Sequence, residues 1–226
     1  MRRIEESELI VNPDGSIYHL NIRAEHLSDD IIVVGDPQRV EIISSYFDRI
    51  EFKIHNREFV THTGYLNGKR LTVLATGIGT DNIDIVLNEL DAVVNIDLNT
   101  RQVKSEHKSL NIIRLGTSGA LQKSITVDSF VFSTYGLGLD GLLNFYQNKE
   151  QVIETELTQA FIDYSLWNKD LSRPYIVSAS KSLEDLISSG MYKGITATAP
   201  GFYGPQGRVL RLPLAHPNLN QSLENF

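Results

Sequence analysis

Apolar residues follow two rhythms along this chain. Ile31, Ile32, Val33 and Val34 form an unbroken run, the pattern of a strand buried on both faces. In the following DPQRVEIISSYF the rhythm changes: Val40, Ile43 and Phe47 recur at helical spacing. Pro37 suits the first turn of that helix, where its missing N–H is not needed. REFVTHTGYL and KRLTVLAT, two β-rich runs, flank Asn67-Gly68 and predict a hairpin. After the turn GIGTDN, Ile83, Val86, Leu87, Leu90 and Val94 share one face of a helix. Residues 99–109 are polar and predict a surface loop or a helix end.

LNIIRLGTSGALQ (110–122) opens as a strand, carries Arg114 inside its apolar run, and ends in Gly116, Thr117, Ser118 and Gly119. ITVDSFVFS predicts another strand, whereas GLGLDGLLNFYQ fits neither period. ETELTQAFIDYSLWN is amphipathic, with Leu157, Phe161 and Tyr164 on one side. YIVSAS then reads as a strand, SLEDLISSG as a short helix ended by Gly190, and YKGITATA as a strand. Residues 1–28 read as an irregular lead-in with SIYHLNI as a short extended piece. Strands alternating with helices predict an α/β layered fold on a mixed, mostly parallel sheet with one inserted hairpin. Ligands of such sheets bind beyond the carboxyl ends of the strands, and here VVGDPQR, LATGIGTDN and IRLGTSGA are strand ends of that kind.

Composition narrows the chemistry. The 226 residues are 41% hydrophobic and 22% charged, a soluble globular balance that supports one large core or two small ones. No apolar run approaches the ~18 residues of a membrane-spanning helix. MRRIEESELIVNPDGS lacks the apolar stretch of a signal peptide, so the expected location is cytoplasmic. With no cysteine, disulfides, thiolate metal sites and cysteine nucleophiles are excluded. The six histidines show no HExxH pairing, so no metal site is expected. A net charge of −7 disfavours nucleic acid and anionic membranes as partners, so any bound anion needs local positive charge.

That directs attention to single arginines. Gly35 can turn its N–H toward a ligand, and Arg39, one helical turn beyond Asp36, can reach back over the same place. The pair suits a phosphate, but on the turn alone a strand-to-helix turn with Arg39 solvated is the plainer alternative. Arg114 within a strand needs a partner, which a bound anion or a buried carboxylate would supply. Thr117 adds a hydroxyl and an N–H. GIGTDN lacks the third glycine of a dinucleotide fingerprint, and GTSG is not a serine-hydrolase elbow. In TAPGFYGPQGR, Gln206 and Arg208 carry the donors and the acceptor that complement a uracil-like ring, and Phe202 and Tyr203 offer stacking faces. A surface loop with core-packed aromatics is the plainer alternative.

Taken in order, YHL, GDPQRV, HNREF, TGIG, IRLGTSGALQ and FYGPQGR resemble the nucleoside phosphorylase family, and within it the uridine-cleaving members, over about residues 17–213. The resemblance implies a three-layer α/β/α fold of the phosphorylase/hydrolase type. It implies a phosphate site at Gly35, Arg39, Arg57, Arg114 and Thr117, a base site at Phe202, Gln206 and Arg208, and a ribose contact at His19. His19 and Arg57 are lent by the neighbouring subunit, in a hexamer built from dimers. Uridine and phosphate are the implied ligands, with no organic cofactor; catalysis falls to Arg114, Thr117, Arg208 and Gln206. Glu58 resembles a residue beside an interface site for a monovalent cation, but GIGTDN departs from the usual GIGGPS of that loop. Family members continue into a segment whose glutamate binds the ribose hydroxyls, then a strand and a long helix. Residues 1–226, ending in LNQSLENF, are therefore expected to be a single phosphorylase domain lacking the C-terminal part. Purine phosphorylases and nucleosidases of the same fold, and a non-catalytic nucleoside-binding protein, are the alternatives. A purine site generally places an acid at the base, and FYGPQGR has none.

Overall fold

The doubly apolar run becomes the central strand of a five-stranded sheet. A computed structural model of the chain describes residues 2–226. It divides into two units, one ending at Thr117 and one spanning Ser118–Phe226. The first contains β1 (Asp30–Val34), α1 (Pro37–Ser44), β2 (Arg49–Asn56), β3 (Phe59–Leu66), β4 (Lys69–Ala75), α2 (Thr80–Asn95), β5 (Ile96–Asp97), β6 (Gln102–Val103) and β7 (Asn111–Leu115). The sheet order is β2-β3-β4-β1-β7. β1 runs parallel to both neighbours, with Val34 opposite Ala75 and Leu115. β2, β3 and β4 form the antiparallel arm. β5 and β6 pair as a small separate hairpin.

Alternation along β1 builds the layers of this unit. Val34 packs with Val40 of α1, Val73 and Ala75 on one face, joined by Ile32, Ile43 and Phe47. Ile31 and Val33 turn to the other face, against Val86, Leu90 and Val93 of α2 and Leu9, Ile17, Leu20 and Ile22 of the lead-in. Both faces are covered, which is why the strand can be apolar at every position. At the predicted hairpin, Asn67 and Gly68 have φ of 50° and 77°, the two left-handed positions a type I′ turn requires. Asp36 caps α1 by accepting the Gln38 N–H at 2.9 Å, and Pro37 occupies the first turn.

β2 is not among the elements the sequence predicts, although Ile50, Phe52 and Ile54 alternate with Arg49, Glu51, Lys53 and His55. It lies at one end of the sheet order, and a charge at every second position suits an edge. The expected extended piece SIYHLNI is instead a turn, closed by Asn21 N–H donating to Ile17 O at 3.0 Å; only Ile17 makes a strand-like bridge, to Val11.

The second unit contains β8 (Val131–Gly138), α3 (Thr155–Ser165), β9 (Tyr175–Ser178), α4 (Lys181–Ile187), β10 (Tyr192–Thr198) and α5 (Leu219–Asn225). Its sheet is β10-β8-β9, with β8 parallel to β10 and antiparallel to β9. The predicted strand over 125–133 is displaced: it starts at Val131 and runs on through the glycine-bearing TYGLG. There Leu137, Leu139, Phe161 and Ile176 form the core, flanked by Leu157, Trp167, Leu219 and Leu223. Among the described residues no helix is long and apolar enough to cross a membrane.

His62 on β3 gives the first unit a pH dependence. It is 4% exposed, and its Nδ1 lies 2.8 Å from Ser44 Oγ. Burial, aided by the nearby Lys53 charge, holds its pKa below the ordinary 6.5. Protonation therefore favours the unfolded chain. The contribution is fully present above pH 6.5 and is lost as the pH falls through the folded value. The expected result is a urea midpoint that falls as pH drops below 6.5, with a shallower fall in His62→Gln. An equal slope in the variant would show that other groups set it, His26 among them, whose pKa burial also lowers.

Candidate active site

The three glycine-rich turns singled out in the sequence meet at one edge of the first unit's sheet. β4, β1 and β7 are adjacent and parallel, so Thr76-Gly77, Gly35 and Gly116 all follow carboxyl ends. A Cβ built on Gly35 would lie 3.7 Å from Gly77 O and 3.8 Å from Arg114 Nη2. The Arg114 guanidinium thus reaches along the edge to the turn after β1. It also folds over its own turn, where a Cβ on Gly116 would clash with Nη1; no larger residue fits there with Arg114 in this pose.

The sequence left two partners open for Arg114. Here it is exposed rather than buried, so the expectation of a costly buried charge is corrected. Among the described residues it makes no hydrogen bond or ion pair, and its donors remain available at the strand end. Thr117, also exposed, follows directly on the same turn, and its hydroxyl has no partner among the described residues. Arg39 lies in the first turn of α1, half-buried and with no side-chain partner among the described residues. A cation in a helix's first turn opposes the helix dipole, a cost that a bound anion would reverse. Gly35, Arg39 and Arg114 are therefore gathered at the amino end of α1, where N–H groups already favour negative charge.

Arg57 and His19 form a second cluster in the same unit. Arg57 occupies the two-residue β2–β3 turn with φ of 54°. Its Nη2 donates to Tyr18 Oη at 3.1 Å, and its guanidinium sits 5.1 Å from the centre of that ring. The Tyr18 ring meets the His19 ring edge-on at 4.8 Å. His19 Nδ1 is 2.6 Å from Glu89 Oε1, and Asn56 Nδ2 donates to Tyr18 O and His19 O at 3.3 and 2.8 Å. Tyr18, Asn56 and Glu89 were not singled out from the sequence. YHL and HNREF contain the first two, but Glu89 lies 70 residues from His19, and no local spacing links them.

Glu58 follows Arg57, and its Cγ would be 3.2 Å from a Cβ on Gly77. The described residues hold no group of three acidic or histidine side chains that could cage a metal.

In the second unit, the loop after β10 carries the base-site candidates. Tyr203 O accepts from the N–H groups of Gln206 and Arg208 at 3.0 and 2.9 Å, and Gly207 turns the chain with φ of 71°. This tight turn puts Arg208 over the Phe202 ring, 4.0 Å from its centre, with Arg208 Nη1 donating to Phe202 O at 2.7 Å and to Gln206 Oε1. Phe202, 59% exposed, meets Tyr203 edge-on. The alternative of core-packed aromatics is not what is seen: both rings are exposed. Arg208 fixes the Gln206 carbonyl, so the amide nitrogen is left to donate and one oxygen lone pair to accept. That is the pairing an imide edge requires.

The model of the phosphorylase superfamily matches residues 29–224, spanning both units. The uridine phosphorylase of Thermococcus kodakarensis is 29% identical over 215 residues, covering 94% of this chain and 63% of that protein. That of Escherichia coli is 30% identical over 206 residues, covering 86% and 68%. This chain therefore spans about two thirds of the length of these relatives. A shorter match, 28% over 116 residues, is to a DeoD-type purine nucleoside phosphorylase of Bacillus velezensis. Among solved structures, a Trypanosoma brucei nucleoside phosphorylase reported to show uridine phosphorylase activity superposes with a TM-score of 0.79 at 29% identity, covering 96% of this chain and 78% of that one. With the family match running through both units and the fold in agreement, the chain belongs to the phosphorylase superfamily.

Proposed function

We propose that the chain serves reversible phosphorolysis of uridine to uracil and ribose 1-phosphate. The observation that carries this reading is the set of two arginines, Arg39 and Arg114, that have no carboxylate partner among the described residues and stand by one strand-end turn of an acidic protein. Gly35 N–H, Arg39, Arg114 and the Thr117 hydroxyl bind phosphate there. Arg57 of the partner subunit completes the site, and His19 of the partner subunit contacts the ribose. Such sharing requires at least a dimer, and a trimer of dimers is the assembly this reading favours, in the cytoplasm.

In the reaction, a phosphate oxygen forms a bond to C1′ while the C1′–N1 bond breaks and its electron pair leaves with the uracil. The sugar carries oxocarbenium character between the two. Phosphate, held by the arginines, offsets that positive charge, and Arg208 and Gln206 stabilise the negative charge on the leaving base. The released uracil anion takes a proton from solvent. Positioning of nucleophile and sugar supplies much of the rate, so no acid of shifted pKa and no organic cofactor is required.

The test is uracil release from uridine with and without phosphate, by this chain and by one extended with the ribose-binding glutamate segment of the family. Release that requires phosphate is expected. Release without phosphate would identify a hydrolase and remove the role given to the arginines. Faster cleavage of inosine than of uridine would overturn the base reading of Gln206 and Arg208.

A further inference from the structure

Glu89 makes more polar contacts with the His19 segment than a simple ion pair needs. From α2, its carboxylate accepts the His19 N–H at 3.0 and 3.1 Å and the Leu20 N–H at 2.8 Å, and its Oε1 lies 2.6 Å from His19 Nδ1. The Glu89 side chain is 13% exposed and that of His19 27% exposed. Asn56 holds the carbonyls of the same peptides from the opposite side. Backbone and ring are thus fixed together, and Nε2 is the ring nitrogen left for a ligand.

A carboxylate has lone pairs only, so Nδ1 must carry the proton. In the neutral ring Nε2 then carries the lone pair. We infer that Glu89 is the positioning residue that fixes the Nδ1–H tautomer of His19 and leaves Nε2 as an acceptor for the sugar 5′-hydroxyl. The inference rests on the uridine reading for its substrate and on the geometry above for the tautomer. Glu89 touches no reacting atom; it acts through His19.

Glu89→Gln separates the roles. One amide oxygen would satisfy the His19 and Leu20 backbone donors. The amide N–H would then face Nδ1, which must accept, driving the proton to Nε2. That turns an acceptor into a donor while keeping size and shape.

Two measurements on the full chain test this. Imidazole 15N shifts at neutral pH should show Nδ1–H for His19 in the parent and a shift toward Nε2–H in Glu89→Gln. An Nε2–H parent, or an unchanged variant, overturns the inference whatever the activity. In phosphorolysis, Glu89→Gln should lower kcat/KM for uridine by up to roughly tenfold, because the 5′-hydroxyl must turn from donor to acceptor in its bond to His19. It should have no effect on 5′-deoxyuridine, which lacks the hydroxyl. Combined with His19→Ala it should add no further loss. A loss that persists with 5′-deoxyuridine would make Glu89 merely structural and sink the substrate part. If neither nucleoside is cleaved by the parent while the tautomer changes as expected, the uridine reading fails and the control of His19 by Glu89 stands.

Discussion

On the proposed phosphorolysis, Arg114→Gln is expected to lower phosphate-dependent uracil release by on the order of 10²–10³-fold and to leave the unfolding midpoint within about 2 °C of the parent. The two halves of this expectation have separate grounds. Arg114 is exposed at the end of β7 and makes no bond to any described residue, so its removal breaks nothing in the fold. Its guanidinium nevertheless lies against the Gly35 turn, where Arg39 also stands in the first turn of α1. Glutamine keeps the length and loses the charge and the fork. Most of the loss should appear at subsaturating phosphate, since ground-state phosphate binding and the attacking geometry use the same donors. A variant with parental kinetics would remove Arg114 from the site. A variant that unfolds many degrees earlier would instead reveal a structural partner.

Phe161→Ala destabilises the second unit by about 3–5 kcal/mol. Phe161 is fully buried and central to that unit's core. Its ring contacts Trp167 at 5.8 Å and Phe226 at 5.2 Å between centres, so truncation removes packing from α3 and the terminal ring together. The chain has a single tryptophan, Trp167, so its fluorescence reports this unit. The expected result is an emission transition at lower urea in Phe161→Ala, with a smaller change in Phe161→Leu, which refills part of the cavity. A shift worth less than about 1 kcal/mol would mean that the core collapses around the gap.

What could be read early differs from element to element for physical reasons. β1 announced itself because a strand covered on both faces has to be apolar at every position. The Asn67-Gly68 hairpin did so because few residue pairs accept two left-handed conformations. β2 carried period-two alternation, but its charges disguised an edge strand as surface. The end of β8 was missed because Gly136 and Gly138 carry no side chain, so that half of the strand has little hydrophobic signal. Arg114 was legible as an oddity, a charge in an apolar run. Whether it met a carboxylate or stood free depended on neighbours far along the chain.

The sequence by itself determined the α/β alternation, the turns that close three strands, and the inventory of groups for an anion and an imide ring. Those properties depend on local φ preferences, hydrophobic period and side-chain chemistry. Tertiary structure alone decided that β4, β1 and β7 lie side by side, bringing Gly77, Gly35 and Arg114 within contact. It alone gave His19 its partner Glu89, 70 residues away, and stacked Arg57 on Tyr18. Sheet order and side-chain pairing arise from the simultaneous burial of both sheet faces. No short stretch of sequence contains that condition.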